Sequence, residues 1–126
     1  MEEPKQNLFR VLIVDDDVGI RDLLAEILEA PQRSVAVRDC PRAALEFLEH
    51  NPVDLAFVDL IMPGMSGEEL AVKIKERNPH AHVVICTGYM AEADAAEARA
   101  KSIDRVLRKP VDLGELLQLA DSYTTE

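Results

Sequence analysis

Residues 10–17 read Arg-Val-Leu-Ile-Val-Asp-Asp-Asp, an apolar, largely β-branched run that ends in three consecutive aspartates. Such a run is typical of a β-strand that is buried on both faces, as strands of parallel sheets are. Apolar residues then recur at helical spacing, and Pro31 ends that pattern. The positions in this helical pattern are Ile20, Leu23, Leu24, Ile27 and Leu28. The stretch therefore predicts a buried strand followed by an amphipathic helix.

The same alternation continues to the end of the chain. Further strands are predicted at 34–40, 54–58, 82–86 and 105–108, with helices at 41–50, 67–77, 90–101 and 113–123. Five strands alternating with five helices predict an α/β fold, with helices on both faces of a parallel sheet. A flavodoxin-like (βα)5 doubly wound sheet with strand order 2-1-3-4-5 is the common solution at this size.

Composition limits the possible functions. The chain has 126 residues, enough for one domain, and a formal net charge of −10. A chain this acidic repels phosphate backbones and anionic lipid, so neither nucleic acid nor a membrane is an expected partner. The two cysteines, Cys40 and Cys86, both fall in strand-like stretches. We expect two buried free thiols and a cytoplasmic location.

In the predicted topology, the carboxyl ends of neighbouring strands meet at one edge, where ligands of such sheets bind. The residues that follow these strands are Asp15, Asp16, Asp17, Asp59, Thr87, Gly88, Lys109 and Pro110. Crowded carboxylates repel one another, and a Mg²⁺ ion relieves that repulsion with oxygen ligands. A metal and a lysine around one carboxylate also suit an incoming phosphoryl group. This edge is therefore the candidate site.

Four motifs give the chain a resemblance to the receiver domain of two-component response regulators. They are Val11–Asp17, Val58–Gly67, Cys86–Gly88 and Arg108–Pro110. The similarity runs from about Leu8 to Tyr123. It implies a tail at residues 1–7, a receiver domain at 8–123 and a second tail at 124–126.

The resemblance assigns roles at the acidic end of the site. Asp59 resembles the phosphoacceptor, which takes its phosphoryl group from a sensor histidine kinase or a phosphotransfer protein. Asp15, Asp16 and Asp59, together with the main-chain carbonyl of Ile61, resemble the Mg²⁺ ligands.

The resemblance also assigns the phosphate-binding and switch residues. Lys109 resembles the lysine that pairs with the phosphoryl group, and Thr87 with Gly88 resembles the switch segment. A cis peptide bond is implied before Pro110, since cis bonds are nearly confined to X-Pro. Val106 stands where the family usually has an aromatic ring, so the chain departs from the family there.

The implied function is a switch and not a metabolic enzyme, since the only reactions implied are its own phosphorylation and dephosphorylation. Phosphorylation would change the face formed by the helix at 90–101, the strand at 105–108 and the last helix. A downstream effector would read that face, and the same face could form a homodimer.

Two other functions fit parts of the sequence. One is a receiver-like interaction module that works without phosphorylation, for which Val106 leaves room. The other is a haloacid-dehalogenase-like phosphatase, in which Asp15 would be the nucleophile at the end of the first strand.

Overall fold

The computed structural model describes residues 8–89 and 102–124. The strands are β1 (Phe9–Val14), β2 (Arg33–Arg38), β3 (Leu55–Asp59), β4 (His82–Thr87) and β5 (Arg105–Arg108). The helices of the described residues are α1 (Val18–Leu28), α2 (Pro41–His50), α3 (Gly67–Arg77) and α4 (Leu113–Thr124). The helix predicted at 90–101 lies outside the described residues.

The five strands form one all-parallel sheet in the order β2-β1-β3-β4-β5. This confirms the predicted flavodoxin-like fold. Val14 pairs with Val58, and Asp59 pairs with Cys86, so the carboxyl ends of the central strands lie at one level. Within residues 8–89 and 102–124, no helix is long and apolar enough to cross a membrane.

Each face of the sheet carries its own hydrophobic core. Along β1, Leu12 and Val14 point to the core under α2 and α3, whereas Val11 and Ile13 point to the core under α1 and α4. Side chains of a strand alternate between faces, so a strand that is covered on both sides must be apolar at every position. This is why the unbroken run at 11–14 identified the sheet.

Local capping fixes where the helices begin. The Asp17 side chain accepts a hydrogen bond of 3.1 Å from the Ile20 backbone N–H and so caps α1. Ser66 and Glu69 form a reciprocal capping box at the start of α3. Because capping satisfies backbone donors that have no partner within the helix, these residues hold both helix starts at the site edge.

The prediction for Cys40 was wrong in part. β2 ends at Arg38, and Cys40 is the N-cap residue of α2 with a half-buried side chain. The helix begins at Pro41 as predicted, since proline suits the first helical position, but the strand ends two residues earlier than the apolar pattern indicated. Cys86 is buried in β4 as expected, and both thiols are free.

Gly67 allows α3 to begin directly against β3. A Cβ atom at this position would lie 2.4 Å from the Asp59 carbonyl oxygen and 2.9 Å from the Leu60 Cα. The Gly67 N–H also donates a 2.7 Å hydrogen bond to the Leu60 carbonyl. Any side chain here must therefore displace the backbone that carries Asp59.

We expect Gly67→Ala to lower the free energy of unfolding by about 1–3 kcal/mol, because a methyl group forced into packed backbone must displace it. Urea denaturation measures this change. Gly19→Ala is the control: its Cβ would come no closer than 3.3 Å to a flexible Asp17 side chain, and alanine favours a helix. Equal stability of the Gly67→Ala variant and the wild type would contradict the close-packing argument.

Candidate functional site

Three carboxylates meet at the carboxyl edge of the sheet. Asp15 follows β1 and Asp59 ends β3; both are buried, whereas Asp16 is exposed. One oxygen from each of Asp15, Asp16 and Asp59 lies within 4.8 Å of the other two. Of the four acids predicted at this edge, Asp15, Asp16 and Asp59 therefore lie together, whereas the Asp17 side chain caps α1.

Lys109 supplies the positive charge in this cluster. Its Nζ lies 2.9 Å from Asp15 Oδ2 and 3.7 Å from Asp59 Oδ2. Its backbone N–H donates to the Thr87 carbonyl at 2.8 Å, and the peptide bond to Pro110 is cis. Burial alone lowers the pKa of Lys109, but the hydrogen bond to Asp15 and the nearby carboxylates raise it overall. The lysine therefore stays charged.

Asp15 is held at every polar atom. Its Oδ1 accepts from the Asp17 N–H at 2.9 Å, and its Oδ2 accepts from Lys109. The Arg21 Nη1 donates to the Asp15 carbonyl at 2.8 Å, and the Asp15 N–H donates to the Arg38 carbonyl at 3.2 Å. Sequence reasoning missed Arg21. Its position in the second turn of α1, six residues after Asp15, was the available signal.

The carboxyl group of Asp59 has a raised pKa. Burial and the charge of Asp15 raise its pKa to about 6, against the opposing effects of Lys109 and a backbone hydrogen bond from Ile61. Asp16 raises this pKa further. At neutral pH the side chain is still mostly ionised, so a charged oxygen is present in a site that favours neutralisation of its charge.

Thr87 and its neighbours complete the edge. Thr87 is fully buried at the end of β4, and its Oγ1 accepts a 3.1 Å hydrogen bond from the Tyr89 N–H. A Cβ atom on Gly88 would lie 3.9 Å from the Lys109 Cβ, so Gly88 passes beside the lysine stem. Val106 in β5 is half-buried and packs against the core under α2 and α3.

The donor set fits a hard divalent cation. Carboxylate oxygens are the ligands that Mg²⁺ takes, and it binds few protein groups while keeping several waters. Asp15, Asp16 and Asp59 each offer one carboxylate oxygen to such an ion, although both oxygens of Asp15 also accept hydrogen bonds. The Ile61 side chain is 42% exposed.

The parallel five-stranded sheet and its acidic edge define the class of signalling receiver domains. The chain belongs to this class, since residues 11–121 match the family described as response regulator receiver domain. Receiver domains bind Mg²⁺ at an acidic pocket.

Individual proteins agree with this assignment. The chain is 33% identical to the response regulator receiver protein CpdR of Brucella abortus, over 86% of this chain and 90% of that one. It is 34% identical to the response regulator protein FleR of Pseudomonas aeruginosa over 87% of this chain, but it spans only 23% of that protein's length. A receiver domain protein from Clostridium thermocellum has a TM-score of 0.81 at 28% identity, covering 94% of this chain and 95% of that one.

The raised pKa of Asp59 predicts how stability depends on pH. Between pH about 4 and 6 the folded state binds a proton that the unfolded state has released, so the Asp59 contribution to stability falls as pH rises through this window. We expect Asp59→Asn to raise the free energy of unfolding by about 1–3 kcal/mol at pH 7.5, and by much less at pH 4.

Urea denaturation in EDTA at both pH values measures this difference without bound metal. Asp22→Asn, an exposed position on α1, is the control and should change stability little at either pH. A gain in the Asp59→Asn variant that is the same at both pH values would contradict the assigned pKa.

Proposed function

We propose that this receiver domain accepts a phosphoryl group on Asp59, with Mg²⁺ held by Asp15, Asp16, Asp59 and the main-chain carbonyl of Ile61. The observation that carries the proposal is the buried Asp59 carboxylate, 3.7 Å from Lys109 Nζ and within 4.8 Å of two further carboxylates. We assign the receiver domain to residues 8–123, between short tails, in the cytoplasm.

The residues divide the chemistry between them. An ionised Asp59 oxygen attacks phosphorus; a new P–O bond forms as the bond to the donor's histidine nitrogen breaks, and the imidazole leaves with the bonding electrons. Lys109 pairs with the phosphoryl oxygens, and the Thr87 hydroxyl donates a hydrogen bond to one of them. Bound Mg²⁺ neutralises charge on the same oxygens.

Asp15 serves this site best as a support. Because both of its carboxylate oxygens accept hydrogen bonds and its carbonyl is held by Arg21, Asp15 orients Lys109 and is poorly placed to attack phosphorus. This favours Asp59 over Asp15 as the nucleophile, and hence a receiver over a phosphatase of the haloacid-dehalogenase type.

The phosphorylated state would then act on partners. A sensor histidine kinase supplies the phosphoryl group, and a downstream effector reads the altered face that includes β5 and α4. Thr87 links the phosphoryl site to this face. Its Oγ1 accepts a 3.1 Å hydrogen bond from the N–H of Tyr89, which directly precedes residues 90–101 in the chain. The family usually has an aromatic ring at the position of Val106, and valine is too small to take over the part of that ring in the switch. We therefore assign the coupling between the phosphoryl site and this face to the Thr87–Tyr89 segment. We also propose that the phosphorylated domain forms a homodimer through the same face.

The first test is intact mass after incubation with acetyl phosphate and Mg²⁺. We expect one added phosphoryl group on the wild type and none on Asp59→Asn, because the asparagine side chain has no charged oxygen to attack phosphorus. Asp17→Asn is the matched control: asparagine also caps a helix, and among the described residues the Asp17 side chain accepts its hydrogen bond from Ile20 of α1.

Two outcomes would contradict this assignment. Labelling that survives in Asp59→Asn would place the nucleophile elsewhere. An absence of labelling in every protein, with histidine kinase donors as well, would favour the phosphorylation-independent module.

The second test concerns the metal. We expect MgCl2 to raise the thermal unfolding midpoint of the wild type. At a Mg²⁺ concentration of 100 times the dissociation constant, the free energy of unfolding should rise by about 2.7 kcal/mol. Asp16→Asn should lose most of this gain, because an exposed carboxylate ligand is removed while the buried cluster remains. Thermal melts with Mg²⁺ or EDTA measure it, with Asp22→Asn as control. An equal gain in Asp16→Asn would exclude Asp16 as a ligand.

A further inference from the structure

A second concave surface lies beside the acidic edge, on the α2 side of the sheet. Its volume is about 390 Å³, and its lining is mostly apolar. Pro41 and Leu45 form one wall, from α2, and Pro63, Gly64 and Met65 form the other, from the loop that follows β3. We refer to it as the α2 groove. None of its lining residues takes part in the proposed phosphoryl site.

The two walls of the α2 groove suit a peptide side chain. Pro63 and Gly64 are exposed, and the Met65 side chain is half-buried. Methionine is flexible and polarisable, so it adapts to partners of different shape. The walls therefore offer an adaptable apolar surface with room for a short peptide segment.

Arg42 sets the charge that this groove prefers. Among the described residues that line the groove, Arg42 is the only charged one, and its side chain is exposed. Within residues 8–89 and 102–124, its guanidinium forms no ion pair or side-chain hydrogen bond. In this part of the chain, the groove rim therefore carries a positive charge that no described residue pairs with, although Asp39 and Glu46 are exposed nearby in the sequence and the net charge of the whole is −10.

The start of α2 adds to this preference. Cys40 is the N-cap residue, and no side-chain hydrogen bond caps the helix. The first backbone N–H groups of a helix lack partners within the helix, and they favour negative charge. These donors lie beside Arg42, so the charge of Arg42 and the helix end both select for a carboxylate.

From the apolar walls and this positive rim, we infer that the α2 groove binds an acidic peptide segment of a partner protein. An apolar side chain of the peptide lies between Leu45 and Met65, and an adjacent carboxylate pairs with Arg42. The inference is independent of phosphorylation at Asp59, and its test uses the unphosphorylated protein.

Cys40 provides the measurement, because it lines the groove and is half-buried, whereas Cys86 is fully buried. The probe is the peptide Ac-Asp-Leu-Asp-Phe-NH2, and the readout is the rate at which iodoacetamide alkylates Cys40, followed by peptide mass mapping. We expect alkylation to slow about tenfold at a peptide concentration near ten times its dissociation constant. The amide analogue Ac-Asn-Leu-Asn-Phe-NH2 should bind about tenfold more weakly, since it lacks the charge.

Two variants separate the contributions of charge and apolar surface. Arg42→Gln and Met65→Gln should each raise the dissociation constant of the peptide about tenfold, so that protection at the same peptide concentration falls to about twofold. Arg77→Gln, an exposed arginine at the far end of α3, is the matched control and should leave it unchanged. Backbone amide shifts of Ala43, Gly64 and Met65 in ¹⁵N-labelled protein give a second readout that does not need the thiol.

Three results would overturn the inference. They are equal protection by the acidic and amide peptides, full protection in Arg42→Gln, and an absence of both protection and amide shifts. Slower alkylation at high protein concentration without peptide would also overturn it, by showing that a second copy of the chain covers the groove. The acetyl phosphate experiment on Arg42→Gln keeps the two proposals apart, since phosphorylation should be retained there even if peptide binding fails.

Discussion

The contact between Lys109 and Asp15 is the interaction on which the site depends. In the sheet, β3 and β4 lie between β1 and β5, so this 2.9 Å ion pair spans the carboxyl edge above them. Without the lysine, three carboxylates would crowd one edge with no side-chain cation paired to them among the described residues. Lys109 contacts Asp15 and also lies within reach of Asp59. The same lysine therefore stabilises the folded site and prepares it for an anion.

A second constraint is the close packing behind Asp59. Gly67 lets α3 start against the Asp59 carbonyl, and the Ser66–Glu69 capping box fixes the direction in which the helix leaves. The loop between β3 and α3 is thereby pinned at both ends. One side of that loop lies at the acidic cluster, and the other side forms a wall of the α2 groove. The loop that follows Asp59 therefore contributes to two surfaces, the acidic cluster and the α2 groove.

Some of the molecule could be predicted from particular residues. The unbroken apolar run at 11–14 indicated a strand covered on both faces, and the predicted helices at 41–50 and 67–77 begin and end where the structure has them. The limits of β2 were less predictable, because Val35 and Val37 continue an apolar pattern up to the turn into Pro41. Cys40 was therefore assigned to a strand although it is the N-cap residue of α2. The reason for a glycine at position 67, the last residue of the Val58–Gly67 motif, came only from the backbone contact.

The sequence by itself determined the fold and the chemical types at the strand ends. Hydrophobic periodicity and the positions of helix-breaking residues are local properties of the sequence. In a parallel sheet, the carboxyl ends of all strands then lie at the same edge. Only the tertiary structure decided the distances between groups far apart in the chain. It decided that Lys109 binds Asp15 more closely than Asp59, that Arg21 secures the Asp15 carbonyl, and that burial raises the pKa of Asp59 to about 6. These depend on packing among segments up to 94 residues apart, which no local pattern encodes.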